Sequence, residues 1–183
     1  MTLSAAILAG GKSSRMGEDK GLVSLQGAPM IVHILEVLSN FDLETVILSS
    51  NKEYNQFSLP VHSDSIPDKG PLSGIHSALK KTRSNHVLIC ACDTPFISEE
   101  IIRGLIDEAI IGKANQCLIQ GQVHPFPGIY PVSMLEEIEN RIMNDQLKVQ
   151  DAFSKVHFVE FNSSLMECFS NINEVKDLKQ WKQ

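Results

Sequence analysis

Five clusters of residues in this 183-residue chain carry side chains suited to phosphate or nucleoside chemistry. The densest runs Leu8-Ala9-Gly10-Gly11-Lys12-Ser13-Ser14-Arg15-Met16-Gly17-Glu18-Asp19-Lys20, directly after a short apolar segment. Gly10 and Gly11 permit a sharp turn and close backbone approach to a ligand. Lys12, Arg15 and Lys20 supply charge that a polyphosphate can use. The run is not a P-loop, because the first glycine of that motif would fall on Ala6, and it holds no G-x-G-x-x-G. Two readings stand: a phosphate cradle, or a solvated glycine-rich turn.

The second cluster, Cys92-Asp93-Thr94-Pro95, ends the strongest apolar run of the chain. A carboxylate there stands at the carboxyl edge of a sheet, where open α/β sheets bind ligands. Asp93 either holds Mg²⁺, which takes one or two carboxylates plus phosphate oxygens, or caps a turn. Gly70-Pro71-Leu72-Ser73-Gly74 is a glycine-rich helix entrance. Gly74 and its neighbours either let a base or ribose lie against backbone or serve tight packing. Asp64 follows a short strand and is either a nucleoside contact or a turn residue. His124-Pro125-Phe126-Pro127-Gly128 is too proline-rich for a regular element, and Asn171-Ile172-Asn173 places two amides on one face if extended.

The elements that must position these residues alternate in period. Segments 3–8, 45–48, 60–62, 86–92, 116–120 and 155–161 read as strands. Segment 127–130 reads as another, antiparallel or at an edge because of its prolines. Segments 29–39, 72–79, 98–111, 132–142 and 174–181 read as helices. Ser98 is the expected N-cap of its helix, with Glu99 and Glu100 in the first turn and Ile101, Ile102, Leu105, Ile106 and Ala109 on the buried face. This alternation predicts an α/β fold, a mostly parallel sheet with helices on both faces, in one domain spanning 1–183.

Composition narrows the function classes. Hydrophobic content of 43% against 21% charged residues is that of a globular chain. A net charge of −6 argues against nucleic acid as a partner. The longest apolar run, 87–92, is far shorter than the roughly 20 residues of a membrane helix, and no secretory signal is visible, so a cytoplasmic protein is expected. The four cysteines show no Cys-x-x-Cys spacing and read as free thiols. The six histidines show no H-x-x-H or H-E-x-x-H grouping.

Taken in order and spacing, these motifs resemble the molybdenum cofactor guanylyltransferases, the MobA family of nucleotidyltransferases. The resemblance spans nearly the whole chain. It implies a Rossmann-like three-layer sandwich of the nucleotide-diphospho-sugar transferase type. It also implies transfer of GMP from GTP to molybdopterin with Mg²⁺. Leu8, Ala9, Gly10, Gly11 and Lys12 would meet guanine and phosphates, Lys20 would bind phosphate with Arg15 beside it, Asp64 and Gly74 would face the nucleotide, and Asp93 would hold the metal. His124, Asn171 and Asn173 would face the molybdopterin-type cofactor. Ser49 stands where some members place a nucleotide-contacting asparagine, with Asn51 nearby as a substitute. Glu174-Val175 replace the usual Thr-Pro after the two asparagines.

Related cytidylyltransferases look like L-A-A-G and G-D-Q-P in the first and Asp93 motifs. Here those motifs are Leu8-Ala9-Gly10-Gly11 and Cys92-Asp93-Thr94-Pro95, which favours guanine. Cytidylyl transfer, sugar-phosphate nucleotidyl transfer and a non-catalytic nucleotide-binding regulator are the alternatives. A monomer is expected, served by proteins that deliver the cofactor or accept the product.

Overall fold

The computed structural model describes residues 1–10 and 19–179. The apolar run at the start forms β1 (Leu3–Leu8), whose small residues Ala5 and Ala6 are buried on opposite faces. A short hairpin, β2 (Ser24–Leu25) and β3 (Ala28–Pro29), leads into α1 (Met30–Leu38). There follow β4 (Thr45–Leu48), β5 (Val61–His62), α2 (Gly70–Lys81) and β6 (His86–Ala91). The second half contributes α3 (Glu99–Asp107), β7 (Ala114–Ile119), β8 (Gln122–Pro131), α4 (Leu135–Met143), β9 (Val156–Phe161) and α5 (Val175–Lys179).

Among the described residues, seven strands form one sheet in the order β5-β4-β1-β6-β8-β7-β9. β5, β4, β1 and β6 run parallel, as do β7 and β9, and β8 is antiparallel to both its neighbours. The alternating side chains of the strands feed two cores. On one face Ala5, Ile7, Leu88 and Cys90 pack with α1 through Ile31 and Ile34, and with α3 through Ile101, Ile102 and Leu105. On the other, Ala6, Val87 and Ile89 pack with α2 through Leu72 and Ile75, and with α4 through Ile138 and Ile142. Helices therefore cover both faces, as the alternation predicts.

Several boundaries differ from the sequence reading for physical reasons. α3 stops at Asp107, short of the expected 111, and leaves Ile111 68% exposed. Ser98 does cap it, its hydroxyl accepting from the Ile101 N–H at 3.4 Å. Segment 124–128, read as too proline-rich for a regular element, lies within β8. The ladder accommodates it with an irregularity: Gln116 pairs with Gly128, whereas the next residue, Cys117, pairs with His124. Pro125 and Pro127, which have no N–H to donate, fall inside that break. β8 is thus an inner strand, not an edge. The β2–β3 hairpin went unread although Gln26 and Gly27 both have positive φ, 51° and 89°. Position 181 lies outside the described residues.

α3 packs closely on the outermost strand. A Cβ at Gly104 would stand 2.7 Å from Cε1 of Phe161. Gly104→Val should destabilise the fold by about 1–3 kcal/mol through overpacking, partly offset by better helix propensity. Urea unfolding of the variant against the parent checks this.

Candidate functional site on the carboxyl rim of the sheet

The three parallel strands at the centre end at one height. Beyond the strands themselves, the Ala9 N–H bonds the Leu48 carbonyl at 2.9 Å and the Cys92 N–H bonds the Leu8 carbonyl at 3.0 Å. Ser49 is held likewise, its N–H to the His62 carbonyl at 2.8 Å. The loops after β1, β4 and β6 therefore rise from a common rim, the place where sheets of this kind bind ligands.

On that rim the chain brings Lys20 and Asp93 together, with Nζ 3.7 Å from Oδ2. Lys20 also donates to Oδ1 of Asn173 at 2.6 Å. Asn173 is delivered by the segment before α5, whose Ile172 N–H bonds the Asp93 carbonyl at 2.8 Å. Burial pushes the Asp93 carboxyl above the ordinary carboxylate range, and the Lys20 charge pulls it partway back. A carboxylate in that position gains from a further positive charge.

Lys20 begins a one-turn 3₁₀ segment, Lys20–Leu22, capped by Asp19. The Asp19 carboxylate accepts from the Tyr54 hydroxyl, from Asn51 Nδ2 at 3.3 Å and from the Gly21 N–H at 3.3 Å. Asn51 turns its other amide atom inward, Oδ1 accepting from the Glu53 N–H at 3.0 Å. Its own N–H bonds Ser49 Oγ at 3.1 Å. Asn51, expected to stand in for a nucleotide contact at Ser49, thus braces the lysine turn in this structure.

A second group collects beside the first. Gly10 lies over the end of β4, where a Cβ would sit 3.7 Å from the Leu48 carbonyl and 3.9 Å from Oδ2 of Asp64. Gly74 packs directly on Leu8, with no room for a Cβ, which would stand 2.9 Å from Leu8 Cδ2. Asp64 is also raised by burial, a shift opposed by the Ser77 hydroxyl and by His76. Leu8, Ala9, Gly10, Asp64 and Gly74 thereby share one corner of the rim. Gly11, Lys12 and Arg15 lie outside the described residues.

The expected cofactor-facing residues come from two places, His124 from β8 and Asn171 and Asn173 from the segment before α5. The 3₁₀ stretch Ser163–Phe169 sets Phe169 against the His124 ring, with centroids 4.6 Å apart. His124 Nε2 is buried without a hydrogen-bond partner among the described residues, and burial lowers its pKa. Asn171 is exposed, two residues before Asn173. The Glu174-Val175 departure is met by Asp177, whose Oδ2 accepts from the N–H groups of Asn173 and Glu174 at 2.9 and 2.8 Å. Sequence reasoning missed Asp177, as it missed Asp19 as a cap and Tyr54. The only signal for the first two is an acidic residue at a helix start.

Fold and rim together define a nucleotidyltransferase-type α/β protein. The family model of the MobA-like NTP transferase domain matches residues 5–156, and the chain belongs to that family. A protein of Flavobacterium johnsoniae named "Probable molybdenum cofactor guanylyltransferase" is 37% identical, covering 97% of this chain and 95% of its own. A protein of Carboxydothermus hydrogenoformans with the same name is 33% identical, covering 97% and 94%. The crystal structure of molybdopterin-guanine dinucleotide biosynthesis protein A from Archaeoglobus fulgidus matches with a TM-score of 0.77 at 25% identity, covering 97% of this chain and 95% of that one.

The raised Asp93 carboxyl has a thermodynamic consequence. Its ionised form is disfavoured in the folded protein, so the cost is absent below the unfolded value of 3.8 and appears as pH rises above it. Asp93→Asn should therefore raise the melting temperature at pH 7. The gain should shrink toward zero as the pH falls below about 4. Thermal unfolding of both proteins across that range checks it.

Proposed function

We propose that this chain is a molybdenum cofactor guanylyltransferase, transferring GMP from GTP to a molybdopterin-type cofactor with release of pyrophosphate. The observation that carries the reading is the Lys20–Asp93 pair on the carboxyl rim of a chain from this family. The near-full-length relatives named as guanylyltransferases support the choice of base and acceptor. Free cysteines, and the lack of any described helix long and apolar enough to cross a membrane, accord with a cytoplasmic reaction.

The chemistry asks little of a general base. A terminal phosphate oxygen of molybdopterin attacks the α-phosphorus of GTP, a new P–O bond forms, and the bond to the β-phosphate oxygen breaks as pyrophosphate leaves. Catalysis of such a step comes from positioning and from charge placed where charge develops. Lys20 neutralises phosphate oxygens at the rim, with Arg15 and Lys12 as further cations. Backbone of Leu8, Ala9 and Gly10 meets base and phosphates, with Gly74 packed against Leu8, and Gly11 is assigned to the same ligand. Asp64 and Ser49 face the nucleoside. Asn171, Asn173 and His124 face the acceptor.

The residues fit Mg²⁺. Asp93 offers a carboxylate whose ionised form is under-compensated. Among the described residues no group of three or more His, Cys, Asp or Glu forms a protein cage, so the remaining ligands would be phosphate oxygens and water, the usual arrangement for this ion. Bound there, Mg²⁺ supplies electrostatic neutralisation of the triphosphate.

The test is pyrophosphate release from the purified protein with Mg²⁺, molybdopterin and each of GTP, CTP, ATP and UTP. GTP alone should give product. Turnover with CTP instead of GTP would move the reading to cytidylyl transfer, and binding without turnover would make the protein a regulator. Lys20→Ala and Asp93→Ala should each lose about two to three orders of magnitude in kcat, roughly 3–4 kcal/mol of barrier, while thermal unfolding shows an intact fold.

A further inference from the structure

A phosphate-binding lysine preceded by an aspartate is a poor arrangement if that aspartate is free. Its carboxylate would compete for the ammonium group and repel the incoming phosphates. Here three donors fix the Asp19 carboxylate in place, Tyr54 and Asn51 from one turn and Gly21 from the turn that bears the lysine. Tyr54 is fully buried in the core shared with α1 and α3, its ring centroid 6.1 Å from that of Phe57. Asn51 caps the turn that carries Tyr54 and is itself held by Ser49 at the end of β4. Gly21 supplies the third donor and is closed in from the far side: a Cβ there would run into the Tyr54 hydroxyl and stand 3.3 Å from the Cys92 Cβ. The turn bearing Lys20 is therefore held between the β4 loop and the residue preceding Asp93.

We propose that Asp19 and Tyr54 are positioning residues for Lys20, with the Tyr54 hydroxyl holding the Asp19 carboxylate so that the neighbouring ammonium stands beside Asp93 when the triphosphate arrives. The inference rests on the reading of Lys20 as a phosphate-binding residue. It assigns work to a core tyrosine that touches no substrate, and it gives the β4 loop a part in catalysis through the lysine turn.

The experiment is a double-mutant cycle read by GMP transfer with GTP, Mg²⁺ and molybdopterin. Tyr54→Phe keeps the ring and the packing and removes one hydroxyl. Alone it should lower kcat about 10- to 100-fold, the usual cost of misplacing a reacting group by an ångström. In a Lys20→Ala background the same change should cost less than about twofold, because the group it positions is gone. A merely structural role predicts equal losses in both backgrounds, and that result, or full kcat in Tyr54→Phe alone, overturns the proposal. Asp19→Asn, which keeps the size and cap of the aspartate, repeats the cycle should Tyr54→Phe fail to give a cooperative melting transition. The same coupling is expected from it, and additive losses would again overturn the idea. Wild-type turnover in Lys20→Ala by itself would instead sink the phosphate-binding role of the lysine.

Discussion

The parallel register of β4, β1 and β6 is the constraint on which the rest of this molecule depends. Leu8 pairs with Leu48 on one side and with Ala91 on the other, so three strands end level. Two further backbone bonds, from Ala9 and from Cys92, carry the ladder just past the strand ends before the loops diverge. Without that levelling, Asp93 and the turn from Asp19 to Leu22 would have no common origin. Burial of β1 on both faces enforces it, because a one-residue slip would turn Ala6 and Ile7 to the wrong cores.

Given that frame, the site is an exercise in offsetting charges in a partly dry place. Asp93 is disfavoured as an ion by burial and relieved by Lys20. Asp64 is disfavoured by burial and relieved by Ser77 and His76. Asp19 is satisfied by hydrogen bonds, and Asp177 is held below the ordinary carboxylate range by the backbone N–H groups it caps. Four aspartates near one rim thus stand in four different states of compensation. The two raised by burial, Asp93 and Asp64, are those proposed above to meet metal and nucleoside, in keeping with the tendency of perturbed groups to collect where ligands bind.

Much of the rim was legible because it obeys local rules. Apolar runs at 3–8, 45–48 and 86–92 announce buried strands, and a glycine pair or an aspartate just after such a run is a recognisable position. Ser98 announces its helix by the same kind of local logic. The residues that could not be read work at a distance. Tyr54 sits in a polar stretch, Lys52–Phe57, with no periodicity to mark it as core, and its partner lies 35 positions earlier. Asp19 reads as a spacer before the lysine, since nothing local says that a buried hydroxyl will meet it. Of β8 only 127–130 reads as a strand, antiparallel as found; its earlier half and its inner position stay hidden because proline content argues against an inner strand, and only the pairing partners reveal that the break in the ladder absorbs both prolines.

The backbone bond from Ile172 to Asp93 joins the last tenth of the chain to its middle, and Leu178 and Ile172 bury with Leu25 and Met30 in a small cluster of their own. The loop carrying Asp93 and the segment carrying Asn173 are thus fastened to one another, and loosening that small cluster would disturb both partners of Lys20 at once.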